Sequence, residues 1–515
     1  MKSLLLFLVL ALAPANTTVE DSTVVRQIAD YIVNIYKTGY VSGKDWKFYE
    51  KATDIPADEE IRSVTNYANW HYTTGIINSA LLQYAAYTGD NKYADHTVKH
   101  VTYCLQEWDK VRPSVTPTGD WHPHHGLRRF DELDFVGPEC GALIDMQSWF
   151  GNNEYEAWIQ RAAEHIRHGQ ARFEDGTLVR TWPSECSLWA DDLFMGLSFM
   201  TRYARYYNDT EMLKDAIRQV DNFNKYLWND ETKLYWHAWM QQKNGVAGHH
   251  WGRCNGWILR ATVDLLDCLD PESEDFKRIQ GYVQLHVDGL RARQRNSGMW
   301  TNVLNSKSYE ETSCTALFAG SIAHAIRNRW IDTEYSPMVY NAWNALKSKY
   351  IVNGQLNKVC VGTGIMDNVS DYTKRPTKDG DTHGAGIILV AGLEFLAMDA
   401  YLSGSLLFDV RPTFNSCSME LAAAAPIQGL SLQYRKKGDI KWLPVQFMPY
   451  YKEQPGYRTS ITRLEEDTIY EYRVTINGVQ QGIDQFRTWK SEVPVAKTIV
   501  LDPNKISFPV RIRDK

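Results

Sequence analysis

Two adjacent carboxylates in a frame of large apolar side chains stand out in the run Leu188-Trp189-Ala190-Asp191-Asp192-Leu193-Phe194-Met195. A carboxylate is costly to bury unless it is paired, hydrogen-bonded or protonated. Among Trp, Leu, Phe and Met, one of the pair would have its pKa raised and serve as a proton donor near neutrality. Asp191 is the better candidate, because Leu188 and Trp189 flank it on the loop side. The plain alternative is a helix start, where acidic residues are favoured in any case. A second acidic stretch, Arg129-Phe130-Asp131-Glu132-Leu133-Asp134-Phe135, frames Asp134 between Leu133 and Phe135. Asp134 is either a second carboxylate interacting with the first or a helix cap.

The stretch His249-His250-Trp251-Gly252-Arg253-Cys254-Asn255-Gly256-Trp257 opens a helical pattern with an arginine. A cation there opposes the helix dipole, so Arg253 needs another reason: a bidentate bond to a substrate carboxylate, or a structural ion pair. Trp251 and Trp257 would wall a sugar. His237, in Tyr235-Trp236-His237-Ala238-Trp239, and the cluster Trp121-His122-Pro123-His124-His125 lack the spacing of known metal sites, and no metal is expected. Asp381-Thr382-His383-Gly384-Ala385-Gly386 reads as a tight loop with close backbone approach to a ligand or to a neighbouring helix.

Helices that alternate in character must position these residues. From Val24 the chain alternates one-faced helices with helices apolar on most sides, six of each. The apolar members begin near residues 70, 140, 191, 255, 312 and 384. Helices apolar all round are buried and one-faced helices cover them, so six repeating pairs fit a closed ring, an all-α (α/α)6 toroid over residues 20–405. Short turns follow the inner helices. The long connections, 118–138, 175–188, 235–254, 298–311 and 361–383, all precede inner helices and would gather on one rim with the helix N-termini. From about residue 410 the pattern turns to alternating strands. The run from Leu464 through Tyr470 and Tyr472 to Val474, with Trp442 as a core tryptophan, predicts a fibronectin type III-like β-sandwich over 410–503, followed by an extension, 504–515.

Composition narrows the class. The chain has 515 residues and a net charge of −6, so nothing global draws it to nucleic acid or acidic lipid. Its 18 Trp and 29 Tyr lean towards carbohydrate, whose C–H faces stack on aromatic rings. Residues 1–15 read as a signal peptide, which places the protein in the periplasm or outside the cell, and no later segment reads as a membrane span. The 8 cysteines show no C-x-x-C spacing, and Cys140, Cys254, Cys314 and Cys360 read as buried thiols.

Together these motifs resemble glycoside hydrolase family 105, the unsaturated rhamnogalacturonyl hydrolases, and more distantly family 88, the unsaturated glucuronyl hydrolases. The matching features are Trp70-His71-Tyr72 with Gly75, Leu133-Asp134, the run 188–195 and Tyr235-Trp236-His237, then Trp251-Gly252-Arg253, Asn255-Gly256-Trp257, residues 309–313, Gly362-Thr363 and His383-Gly384. The resemblance implies the (α/α)6 fold and a hydration reaction without cofactor. Its substrate would be an oligosaccharide ending in a Δ4,5-unsaturated uronic acid. It further implies Asp191 as general acid/base and Asp134 as the second carboxylate. Tyr72, His237 and His383 would bind substrate, Arg253 would lie near the uronate, and Trp251 and Trp257 would be the stacking walls. The sequence departs from the pattern at Glu185-Cys186-Ser187, where a His is usual, and at Asp192 and Cys254, where Gly is usual.

Other readings share some of these features. An unsaturated β-glucuronyl hydrolase would act on algal or glycosaminoglycan oligosaccharides. A conventional inverting glycosidase would hold two carboxylates several ångströms apart and cleave saturated sugars. A carbohydrate-binding or adhesion module would bind without turnover.

Overall fold

The computed structural model describes residues 19–491 apart from 89, 112–121, 123, 184–185, 403–407, 424–425, 447–449, 451–455 and 477–478. The expected signal peptide and the C-terminal extension lie outside the described residues. The chain divides near residue 407 into two compact units.

In the first unit twelve helices alternate along the described chain. They are α1 (Val19–Ile35), α2 (Tyr72–Thr88), α3 (Lys92–Val111), α4 (Leu133–Phe150), α5 (Glu156–Glu164), α6 (Asp191–Tyr207), α7 (Thr210–Leu227), α8 (Gly252–Leu266), α9 (Glu274–Arg291), α10 (Thr312–Arg327), α11 (Ser336–Lys349) and α12 (Thr382–Leu402). The even-numbered helices form a ring, each packed on the next, and α12 returns to α2. The odd-numbered helices form the outer layer, α3 on α2 and so on round to α11 on α10, while α1 covers α12. The expected (α/α)6 toroid is therefore present. Helix α7 shows why the outer members lie outside: Met212, Ala216, Val220, Phe223 and Leu227 recur every three or four residues and are buried. The inner helices touch almost backbone to backbone. A Cβ added at Gly75 of α2 would lie 2.5 Å from the Glu139 nitrogen of α4, and one at Gly137 of α4 would collide with the Met195 carbonyl of α6.

Two expectations for this unit need correction. Helix α4 begins at Leu133 rather than near Cys140, with Glu132 in extended conformation as its N-cap and Pro138 inside it. Proline stops a helical pattern in sequence because it lacks an N–H and crowds the preceding turn, yet here the helix runs through it. Asp134 consequently sits in the first turn and not in a loop. The other correction concerns α12, which is long and apolar enough to cross a membrane. In the ring its apolar surface faces α10, α2 and α1.

The segments that precede the inner helices are tied to one another. Ala190 N donates to the His237 carbonyl at 2.9 Å and Gly252 N to the Asn302 carbonyl at 2.8 Å. Asn302 Nδ2 donates to the Tyr372 carbonyl at 2.9 Å. Short strands Ser187–Trp189, Ala238–Met240 and Gly245–Ala247 pair antiparallel in that order. All eight cysteines are free thiols, and Cys140, Cys254, Cys314 and Cys360 are buried as expected.

The second unit contains β1 (Phe408–Pro412), β2 (Ser416–Ala422), β3 (Leu430–Lys436), β4 (Leu443–Val445), β5 (Gly456–Thr462), β6 (Ile469–Ile476) and β7 (Val479–Arg487). They make a three-stranded sheet, β1-β2-β5, and a four-stranded sheet, β4-β3-β6-β7. The described pairings are antiparallel. Glu465 N donates to the Tyr470 hydroxyl at 2.9 Å, just before β6. Trp442 is not the core tryptophan expected of it: it is half-buried, with the guanidinium groups of Arg435 and Arg473 over its ring.

Candidate active site

The strand Ser187–Trp189 delivers Asp191 to the first position of α6, next to the strand that follows His237. Asp191 Oδ2 lies 3.3 Å from His237 Nε2. The two atoms face each other without hydrogen-bond geometry, and neither has a hydrogen-bond partner among the described residues. His237 is fully buried, and its Nδ1 is 2.6 Å from the Tyr372 hydroxyl. That hydroxyl also accepts from Met366 N at 3.1 Å, which ties the imidazole to the segment that carries Tyr372.

Asp134 and Asp192 are held differently, by a residue outside the sequence motifs. Arg180 donates through Nε to both Asp192 oxygens, at 3.0 and 2.8 Å, and through a terminal nitrogen to Asp192 Oδ1 at 2.6 Å. The same terminal nitrogen reaches Asp134 Oδ1 at 2.9 Å, and the guanidinium lies over the Trp189 ring. Burial lowers the Arg180 pKa, but the carboxylates of Asp134 and Asp192 outweigh it and hold the group well above its ordinary value. Burial pushes the Asp192 carboxyl up to about 6 against the pull of Arg180. One guanidinium thus serves two carboxylates, and Asp191 is left to His237.

The remaining candidates are placed as follows. Tyr72 and His383 meet edge to face, with ring centroids 5.8 Å apart, and Tyr72 also meets Trp257 at 6.2 Å. Burial pushes the Tyr72 hydroxyl pKa up and the His383 imidazole pKa down, the latter against Asp381, which bonds its Nδ1. Arg253 is only 1% exposed. It donates to the Cys360 and Val361 carbonyls and to the Ser313 hydroxyl, fixing the loop before α12. Its Nε has no partner among the described residues. Trp251 and Trp257, read as stacking walls, are each 1% exposed, as is Arg253. Trp251 packs against His237 and the Arg253 guanidinium, and Trp257 stacks on Phe194 at 4.6 Å. Helical spacing set both residues beside the motif but did not say which way their faces turn.

Beneath this cluster, Glu139 of α4 is fully buried. It accepts from the Thr74 hydroxyl at 2.5 Å and His71 N at 3.2 Å. Burial pushes its carboxyl from the ordinary 4.5 to about 8. The folded protein therefore binds a proton that the unfolded chain releases, and stability drains away as pH rises from about 4.5 to 8. Glu139→Gln, which cannot ionise, is expected to gain melting temperature relative to the parent as pH climbs through that window. Thermal melts at pH 5 and pH 9 check this, and an equal difference at the two values would refute it.

A family model described as Glycosyl Hydrolase Family 88 matches residues 47–399. The unsaturated rhamnogalacturonyl hydrolase YesR of Bacillus subtilis is 28% identical over 267 residues, covering 50% of this chain and 75% of that protein. An unsaturated 3S-rhamnoglycuronyl hydrolase of an Alteromonas species is 26% identical over 219 residues, covering 40% of this chain and 51% of that protein. Among solved structures, a possible family 105 member from Klebsiella pneumoniae matches with a TM-score of 0.63 at 20% identity, over 75% of this chain and 95% of that one. That likeness supports the ring architecture. With carboxylates gathered at one end of a six-pair helical ring and the family model spanning nearly the whole ring, the chain belongs to glycosyl hydrolase family 88 and is a glycoside hydrolase.

Proposed function

We propose that this enzyme removes a terminal Δ4,5-unsaturated uronic acid from lyase-generated oligosaccharides by hydrating the C4=C5 bond. Asp191 gives its proton to C4. Water bonds at C5 and returns a proton to the Asp191 carboxylate. The resulting hemiketal opens, and the next sugar leaves as an alcohol. Asp134 is the second carboxylate, held by Arg180, and Tyr72, His237, Arg253 and His383 bind the substrate.

The observation that carries this reading is the division of labour among three neighbouring carboxylates. Asp134 and Asp192 share one guanidinium, whereas Asp191 has an oxygen free of hydrogen bonds. A carboxyl that must hand a proton to carbon and take one from water needs that freedom. The names of the relatives from Bacillus and Alteromonas, both hydrolases of unsaturated uronides, support the same reaction class. The former favours galacturonyl-rhamnose from rhamnogalacturonan as substrate.

The test is the decay of the ultraviolet absorbance of the conjugated uronate on mixing with lyase digests. Rhamnogalacturonan and glucuronan-type digests are run side by side. Decay on the first supports the proposal, and decay on the second alone assigns the enzyme to unsaturated β-glucuronides. Absorbance that stays constant while saturated sugars are cleaved refutes hydration. We also propose that residues 1–15 direct export to the periplasm or beyond. The second unit is read as fibronectin type III-like, a reading supported by its three- and four-stranded sheets and the Tyr470 hydroxyl bond.

A further inference from the structure

His237 meets Asp191 only while its Nε2 faces Asp191 Oδ2, 3.3 Å away. An imidazole has a broad range of angles about its Cβ–Cγ bond. Asp191 does not narrow that range, because neither atom has a hydrogen-bond partner among the described residues. The backbone of His237 is fixed: its N donates to the His249 carbonyl at 3.1 Å, and its carbonyl accepts from Ala190 N at 2.9 Å. The angle of the ring has to be set from its other edge.

On that edge the Tyr372 hydroxyl lies 2.6 Å from Nδ1. Tyr372 is fully buried, in the short helix Val369–Thr373 of the connection that precedes α12. It is held at both ends. Its hydroxyl accepts from Met366 N at 3.1 Å, and its carbonyl accepts from Asn302 Nδ2 at 2.9 Å. Asn302 is also fully buried, and its Oδ1 accepts the indole N–H of Trp251 at 3.0 Å. The Trp251 ring packs in turn on His237, with centroids 4.9 Å apart. His237, Tyr372, Asn302 and Trp251 thus make a closed circuit of contacts. Gly248 leaves room for it. Its φ is +73°, and an added Cβ would lie 2.7 Å from the Tyr372 hydroxyl and 2.9 Å from His237 Cβ. Tyr372, Asn302 and Gly248 all stand outside the motifs that pointed to the site.

We propose that Tyr372 is a positioning residue: its hydroxyl sets the angle of the His237 imidazole, and with it the edge that meets Asp191. The proposal rests on the hydration reading for the reaction that is positioned. Being fully buried, Tyr372 acts through His237 and not on the substrate. A ring fixed before the substrate arrives needs no ordering during the reaction. A ring released from Tyr372 spends part of its time turned away from Asp191.

The test is a double-mutant cycle built on Tyr372→Phe, which removes one hydroxyl and keeps the ring. In the parent background Tyr372→Phe is expected to lower kcat/KM about tenfold, the scale of a small misplacement at a reacting centre. In a His237→Ala background the same substitution should cost nothing further. Asn302→Ala, which releases the Tyr372 carbonyl without removing a contact of the hydroxyl, is the second variant. It should show a smaller loss that also vanishes without His237. Full activity in Tyr372→Phe overturns the proposal. An equal loss in both backgrounds also overturns it, since that is the mark of a purely structural role. Imidazole resonances of isotope-labelled histidine give a reading independent of turnover. The His237 signals should move in Tyr372→Phe, and unmoved signals overturn the link. If the parent consumes no unsaturated uronide, the hydration reading fails while the resonances still judge Tyr372.

Discussion

Asp191→Asn is expected to reduce the rate of uronate consumption by about a hundredfold or more, the scale of general acid–base catalysis. The amide matches the carboxyl in shape, so the ring, the strand Ser187–Trp189 and the approach to His237 should all persist. What disappears is the ability to give a proton to carbon and recover one from water. The loss should therefore appear in kcat, with KM and the calorimetric affinity for substrate little changed. Absorbance decay at saturating substrate, set beside the binding titration, separates these quantities. Full activity in the variant would remove Asp191 from the mechanism and turn attention to Asp134.

Arg180→Met is expected to cost about 3–5 kcal/mol of stability, the penalty for stripping one partner from a buried ion pair. Asp192 is 1% exposed and would be left with a buried charge and no cation. Protonation relieves that charge, so the deficit should shrink as pH falls below neutrality, where burial already favours the neutral acid. The double variant Arg180→Met/Asp192→Leu should recover most of the stability, because an apolar pair can replace a buried ionic one. Activity should not recover with it, since Asp134 would still lack the nitrogen that fixes its Oδ1. Urea titrations and absorbance assays on all three proteins measure both effects. Recovery of activity in the double variant would show that Arg180 serves stability alone.

The ring could be read from the sequence because its signal is repeated. Buried helices such as α2 and α12 are apolar on most sides, helices such as α7 on one, and six alternations leave few other architectures. The start of α4 was hidden because Pro138 resembles a terminator and because Glu132 caps without a capping hydrogen bond. Asp191 and Asp134 were visible through their apolar frames, but the frames did not say which carboxylate would be neutralised. That depends on Arg180, which sits in a connection without periodicity, 46 residues after Asp134 and 12 before Asp192. The one local hint is the apolar pair Leu178-Val179 directly before it, which marks a buried connection. Arg253 was expected to need a special partner, and it has one: backbone carbonyls at Cys360 and Val361, whose approach depends on the path of a loop about a hundred residues away.

Closure of the ring has a consequence for how the chain acquires its shape. Asp21, in the first helix, receives the indole N–H of Trp343 at 2.8 Å and the ammonium of Lys347 at 2.6 Å, and α2 is flanked by α12. The residues of α1 therefore find these partners only after more than three hundred others have followed them from the ribosome. Until then α1 and α2 present uncovered apolar flanks, a state open to association with other chains. Contacts so distant along the polypeptide slow the search for the final arrangement. Assembly should accordingly be limited by the arrival of the last helix, and a chain truncated before residue 382 should collect as aggregate rather than as a smaller working ring.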